Sequence, residues 1–248
     1  MKIEEYKKKG GIDSKELPRP ELVCDKDLQG IPYPLAGHDC SHFAMIISGK
    51  PKSGKSTLAL GMMTAKGKKK VYRGKFDHII IFVPPHSLLS LKDNPFEDLE
   101  EDKKYGELTL DNLEKVYDKI KKNADAGEST LLYLDDMASD LKQSMRVQEI
   151  FNRICFNRRH LKCSVMFLVQ TWKSIPINCR KTSSHIILFK NFNKLENIAV
   201  FEEVLFLPQD TVEQLFDYVY DEKHNFLYID VNNGLFLKNF NQLKLSDI

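Results

Sequence analysis

The sequence predicts an α/β domain with a mostly parallel central sheet flanked by helices, and three observations carry that expectation. Five short apolar runs recur along the chain: Phe43 to Ser48, His78 to Val83, Thr130 to Asp135, Ser164 to Gln170 and Ser184 to Lys190. Runs of that length without polar alternation fit strands buried on both faces, as in a parallel sheet. Segments of helical periodicity lie between them, and the first run passes directly into the glycine-containing turn Gly49-Lys50-Pro51-Lys52-Ser53-Gly54-Lys55-Ser56, followed by the helix-forming Thr57-Leu58-Ala59-Leu60.

Composition bounds the remaining possibilities. A length of 248 residues is enough for one large domain to bury its core without disulfides. The 42% hydrophobic and 29% charged content reads as globular, and a formal charge of +2 excludes a polycation, so any DNA contact must come from a local patch. Cys24, Cys40, Cys155, Cys163 and Cys179 are odd in number and contain no C-x-x-C pair, which predicts reduced thiols in a cytosol-like compartment. No apolar run approaches the ~20 residues that span a bilayer, and Met1 to Gly11 has no signal-peptide core, so neither membrane insertion nor export is expected.

In chain order, residues 1–42 are polar and punctuated by Pro18, Pro20, Pro32 and Pro34, which predicts an arm or strap ahead of a single domain over 43–248. His38, Cys40 and His42 alternate on one face of an extended segment but lack a fourth ligand at any recognised spacing, so zinc is not expected. The turn that follows the first strand matches G-x-x-x-x-G-K-[ST] in its strand-turn-helix context, the pattern of a phosphate-binding loop. Gly49 and Gly54 let backbone N–H groups converge on an anion, and the first turn of the helix adds its unpaired N–H groups and positive dipole end. Lys55 is expected to bridge the β- and γ-phosphates of ATP, and the Ser56 hydroxyl to ligate Mg²⁺. Lys50, Pro51, Lys52 and Ser53 complete the loop, and Thr57 is expected to pack or cap.

Gly67-Lys68-Lys69-Lys70 reads as a basic turn, and the acidic stretch from Asp93 to Asp102 as an exposed insertion. Leu110, Leu113, Val116 or Tyr117, and Ile120 recur at helical spacing after Thr109, a candidate N-cap. The third strand ends in Asp135-Asp136, where a carboxylate beside the loop reaches the magnesium sphere. Asp135 is expected to hold the metal, mostly through water, and Asp136 to orient or deprotonate the attacking water. A helix is expected over residues 141–160, and the fourth strand then ends in Gln170, a candidate reader of the γ-phosphate or of the water. Asp210-Thr211-Val212-Glu213 resembles a capping box, and Asn232-Asn233-Gly234 joins a C-terminal β-hairpin, so that 209–240 closes the domain.

This order of strands and motifs resembles an additional-strand P-loop NTPase of the RecA-like type. The segment containing Arg159-His160, Gln170 and Ile175-Pro176-Ile177-Asn178-Cys179-Arg180 resembles, more narrowly, the poxvirus-type DNA-packaging ATPases of large DNA viruses and virophages, within the FtsK/HerA superfamily. The resemblance implies an ATPase that drives double-stranded DNA into a capsid as a homo-oligomeric ring, a pentamer or hexamer, with capsid proteins as partners and the host cytoplasm and the virion as locations. It also implies an arginine supplied to the neighbour's γ-phosphate, for which Arg158, Arg159 and Arg180 are candidates. Superfamily members usually carry Asp-Glu where this chain has Asp135-Asp136. Lys68, Lys69, Lys70 and Trp172-Lys173-Ser174 are candidate DNA contacts. A small-molecule or nucleotide kinase, and an ATP-dependent assembly switch, are the alternative readings.

Overall fold

The computed structural model of the chain describes residues 31, 35, 42–89, 94–191, 193–204, 207 and 209–244. Most of the expected arm, with His38, Cys24 and Cys40, lies outside the described residues. Ile31 and Leu35 are buried, and the Tyr72 hydroxyl donates to the Leu35 carbonyl at 3.1 Å, so these two positions pack onto the domain.

Among the described residues, nine strands form one sheet: β1 (Ala44–Ser48), β2 (His78–Phe82), β3 (Lys104–Tyr105), β4 (Thr130–Asp135), β5 (Cys163–Val169), β6 (His185–Phe189), β7 (Phe226–Asp230), β8 (Leu235–Lys238) and β9 (Asn241–Gln242). Their spatial order is β3-β2-β4-β5-β1-β6-β7-β8-β9. The pairings from β3 through β6 are parallel, and those from β6 through β9 are antiparallel. One strand, β5, is inserted between β1, which leads into the phosphate loop, and β4, which carries the acidic pair. In register, Ser48 lies beside Val169 and Leu168 beside Asp135, so the loop and the acidic pair emerge at the same edge of the sheet.

The helices α1 (Lys55–Thr64), α2 (Pro85–Leu89), α3 (Leu110–Asp125), α4 (Ala138–Gln143), α5 (Met145–Asn157), α6 (Ile177–Lys181), α7 (Lys194–Val204) and α8 (Gln209–Val219) accompany the sheet. Strand alternation sorts the core into two layers. Leu132 and Leu134 of β4 and Val165 and Phe167 of β5 pack with α3, α5 and α8 on one face. Leu131 and Tyr133 of β4 and Met166 and Leu168 of β5 pack with Ala59, Met62 and Met63 of α1 on the other. Asp135 shares the parity of Tyr133, and so projects on the α1 side. Among the described residues, no helix is long and apolar enough to cross a membrane.

Several expectations change. The helix expected over 141–160 begins at Met145, because extended Ser144 interrupts it and accepts from the Val147 N–H at 3.4 Å; Leu141 belongs to α4. In the acidic stretch, Phe96 is 2% exposed and packs on Tyr133 with ring centroids 5.1 Å apart, so the insertion is pinned to the core. The expected capping box falls inside α8, which starts at Gln209, and the Gln209 amide donates to Glu213 at 2.8 Å. The basic turn is a short 3₁₀ helix, Gly67–Lys69, with exposed lysines. Trp172 is 1% exposed, which removes its ring from the set of DNA contacts. The Thr109 cap and the hairpin turn at Gly234, with φ 62°, match expectation.

Candidate active site

The phosphate loop hangs between the ends of β1 and α1. Gly49 is required on steric grounds, because a Cβ there would lie 2.7 Å from the Phe189 Cβ and 2.7 Å from the Ser53 Oγ. Gly54 takes φ 107°, a left-handed value that favours glycine, and places α1 with its first turn open: no side chain caps it and no acidic residue lies in it. Lys52 is also left-handed, at φ 64°. Ser53 Oγ is buried without a hydrogen-bond partner, an orphaned polar atom that an anion in the loop would satisfy.

The Lys55 ammonium folds back on its own loop, donating to the carbonyls of Gly49 at 2.6 Å and Lys50 at 3.1 Å. Burial pushes its pKa down, against the opposing pull of Asp135 and Asp136. Across the inserted β5, the Ser56 hydroxyl donates to Asp135 Oδ2 at 3.0 Å. Burial raises the Asp135 pKa, and the Ser56 hydrogen bond and Lys55 charge only partly offset it. Both ends of this charge arrangement are therefore under-solvated. A phosphate would favour the charged form of the lysine, and a divalent cation that of the aspartate, so the donor set fits Mg²⁺ with a triphosphate. One carboxylate and one hydroxyl suffice, because Mg²⁺ retains waters and takes phosphate oxygens. Among the described residues, no group of three or more His, Cys, Asp and Glu is placed to hold a metal by itself.

Asp136 follows β4 in a left-handed conformation, φ 59°, which aspartate tolerates better than most residues. Its N–H donates to the Leu168 carbonyl at 3.3 Å, and the exposed Gln170 amide donates to its Oδ1 at 3.0 Å. Lys55, Ser56, Asp135, Asp136 and Gln170 line one cleft of about 260 Å³. Thr57 is exposed and lies on the other side of the loop, where it neither packs into the core nor caps the helix.

The arginines fall elsewhere. Arg158 and Arg159 precede β5 at the opposite edge of the sheet. Arg158 donates to the carbonyls of His42 and Cys155, each at 2.9 Å, which holds it within its own subunit. Arg180 is 8% exposed, 3.1 Å from the Glu203 carboxylate and over the Trp172 ring at 5.7 Å. Glu203 also accepts from the Trp172 indole at 2.9 Å, so Arg180 belongs to a buried strut between α6, α7 and the loop after Gln170. Arg159 is exposed.

Two residues missed in the sequence complete the site. The buried Tyr133 lines the same cleft as Asp135, and the two-residue spacing along β4 was the available signal. His224 Nδ1 lies 2.9 Å from the Ser53 carbonyl oxygen, so this nitrogen carries a proton and donates it; a partner 171 residues away leaves no local signal.

In fold, the chain is similar to the DNA-packaging ATPase B204 from Sulfolobus Turreted Icosahedral Virus, at TM-score 0.58 and 16% identity over 79% of this chain and 96% of that one. It is similar to the genome packaging NTPase B204 of Sulfolobus turreted icosahedral virus 2 in complex with ATP-gammaS, at TM-score 0.55 and 16% identity over 79% and 96%. EssC (ATPases 2 and 3) from Geobacillus thermodenitrificans gives TM-score 0.51 at 12% identity over 83% of this chain and 41% of that one. At such identities the likeness is one of fold. No curated protein matches the sequence. The family model described as Poxvirus A32 protein matches residues 38–239, and the chain belongs to that family.

Proposed function

We propose that the chain is an ATPase whose hydrolysis drives double-stranded viral DNA into a capsid, working as a homo-oligomeric ring in the infected cell's cytoplasm. The observation that carries the hydrolytic reading is Asp136, held by Gln170 beside Lys55, Ser56 and Asp135 in one cleft. Family membership and the fold shared with a viral genome-packaging NTPase support the DNA substrate.

Lys55 leaves the Gly49 and Lys50 carbonyls to bridge the β- and γ-phosphates, while loop N–H groups and Ser53 Oγ take the remaining oxygens. Ser56 and Asp135 would hold Mg²⁺, which would supply charge neutralisation at the phosphate oxygens. Asp136 accepts a proton from the water whose oxygen bonds to the γ-phosphorus. The bond from that phosphorus to the β–γ bridging oxygen breaks, and ADP and phosphate leave. Gln170 positions Asp136 for this transfer. Arg159 is the exposed one of the three candidate fingers, and its place across the sheet suits a head-to-tail contact with a neighbour's cleft. Lys68, Lys69, Lys70 and Lys173 remain as DNA contacts, with capsid proteins as the further partners.

Phosphate release measured with and without double-stranded DNA tests the motor. Stimulation that disappears in Lys55→Ala is expected; turnover indifferent to DNA makes the protein a switch, and phosphate transferred to an added nucleoside makes it a kinase. Mixing inactive Arg159→Ala with inactive Lys55→Ala is expected to restore part of the activity. No recovery in demonstrated mixed oligomers removes Arg159 from the finger role.

A further inference from the structure

A second opening meets the phosphate loop from the opposite side. The cleft of Asp135, Asp136 and Gln170 reaches the loop at Lys55 and Ser56, whereas a groove of about 540 Å³ begins at Gly54 and Thr57 and runs along Leu58 and Gly61 of α1. Its far wall is Phe189 of β6, Phe226 of β7 and His224. On the reading of the loop as a nucleoside triphosphate site, a substrate whose terminal phosphate faces Asp136 emerges at Gly54 and Thr57, and so enters this groove with its base. We propose that the groove is the nucleobase site, and that it recognises the flat face of a purine rather than its hydrogen-bonding edge.

Gly61 carries the first part of this inference. It lies on the exposed side of α1, its φ is not left-handed, and a Cβ built on it meets nothing within 4 Å. Glycine weakens a helix interior relative to alanine. Neither a turn nor tight packing within the chain requires it here, but a planar ring lying against the helix backbone does. The groove is also of the size that small ligands occupy, typically about 300–1,000 Å³.

The opposite wall carries the second part. Phe189 and Phe226 form a tilted aromatic pair with centroids 5.5 Å apart. The His224 ring stands close to Gly54, with its Nδ1 3.6 Å from where a Cβ on that residue would be, and is fixed by the bond to Ser53. His224 sits at φ 68°, so its backbone is bent to bring the ring there. The exposed His224 ring on one side and the bare helix backbone at Gly61 on the other suit stacking, which tolerates any purine, while the largely buried Phe189 and Phe226 add an apolar wall. The polar side chains along the groove are Thr57, Lys69 and His224, and the His224 Nδ1 proton is already given to the loop. Little is left to distinguish the edge of adenine from that of guanine.

Gly61→Leu fills the groove with a better helix former, and calorimetric titration of the full chain with magnesium and ATP, GTP, CTP or inorganic tripolyphosphate reads the result. Wild-type protein is expected to bind ATP and GTP within about threefold of each other and CTP more weakly, having less ring to stack. In the variant, ATP and GTP affinity is expected to fall at least about tenfold, with tripolyphosphate unchanged, since only the base meets the new side chain. Unchanged ATP affinity in the variant, or an equal loss for tripolyphosphate, overturns the site. A hundredfold preference between ATP and GTP overturns recognition by the ring face. Wild-type protein that binds neither ATP nor tripolyphosphate refutes the phosphate-loop reading, and this proposal with it, a result distinct from failure of the groove alone.

Discussion

Toward β4 and β5, the phosphate loop faces short polar side chains fixed by hydrogen bonds: Ser56 on Asp135 and Gln170 on Asp136. Toward β6 and β7 it faces wide rings fixed by packing, Phe189 against Phe226, with His224 tied to the loop by one bond. On the function proposed above, the difference matches what each end of a triphosphate demands. Charge develops and protons move at the terminal phosphate, so groups there act on the transition state and set turnover. The other end is held alike before and during reaction, so groups there set occupancy. Variants on the first side should therefore change kcat, and variants on the second KM.

The largest expected effect is that of Asp136→Asn. Asparagine tolerates the left-handed backbone and keeps an oxygen for Gln170, so the fold survives, but it accepts no proton from water. Steady-state phosphate release should fall by about 10²–10⁴, with ATP affinity nearly unchanged. A variant that retains wild-type kcat places the proton acceptor elsewhere. On the opposite side, His224→Asn keeps a residue suited to φ 68° while removing the ring. KM for ATP should rise about tenfold with kcat preserved, the pattern of lost uniform binding. A fall in kcat with constant KM would erase the distinction between the two sides.

The same division explains what could be read in the sequence. The polar side was legible because each of its residues sits at the end of a strand or in a dense local motif. Lys55 and Ser56 belong to one eight-residue pattern, and Asp135 and Gln170 end runs of continuous apolar residues. Tyr133 was hidden by being apolar enough to pass for core. The aromatic side was not legible, since Phe189 and Phe226 look like any strand residues until antiparallel β6 and β7 are paired, with Phe189 opposite Phe226 in register. Arg180 shows the limit of motif reading in the other direction. Its segment marked the family, yet the guanidinium is spent on Glu203 and Trp172. Position near a motif cannot separate an arginine that reaches out from one that holds a loop in place. The short strands β3 and β9, two residues each, were invisible for lack of any period to detect.

The smallest expected effect concerns the cost at which the polar side is kept ready. Burial raises the folded-state pKa of Asp135 above its ordinary value of 3.8, so just above that pH the folded protein holds more protons than the unfolded chain. Stability then falls as pH rises through the window between 3.8 and the raised value, and the ionised carboxylate remains a destabilising group at neutral pH. Asp135→Asn removes that charge and keeps an oxygen to accept from Ser56. Without nucleotide and magnesium, the variant should therefore melt a few degrees higher than wild type at pH 7, a shift that corresponds to about 1 kcal/mol in a domain of this size. The advantage should shrink in acid, where wild-type Asp135 is protonated as well, and magnesium with ATP should stabilise wild type far more than the variant. A variant that melts lower than wild type at neutral pH means that Lys55 and Ser56 already compensate the buried charge, and that this side of the loop is not held in reserve for a cation.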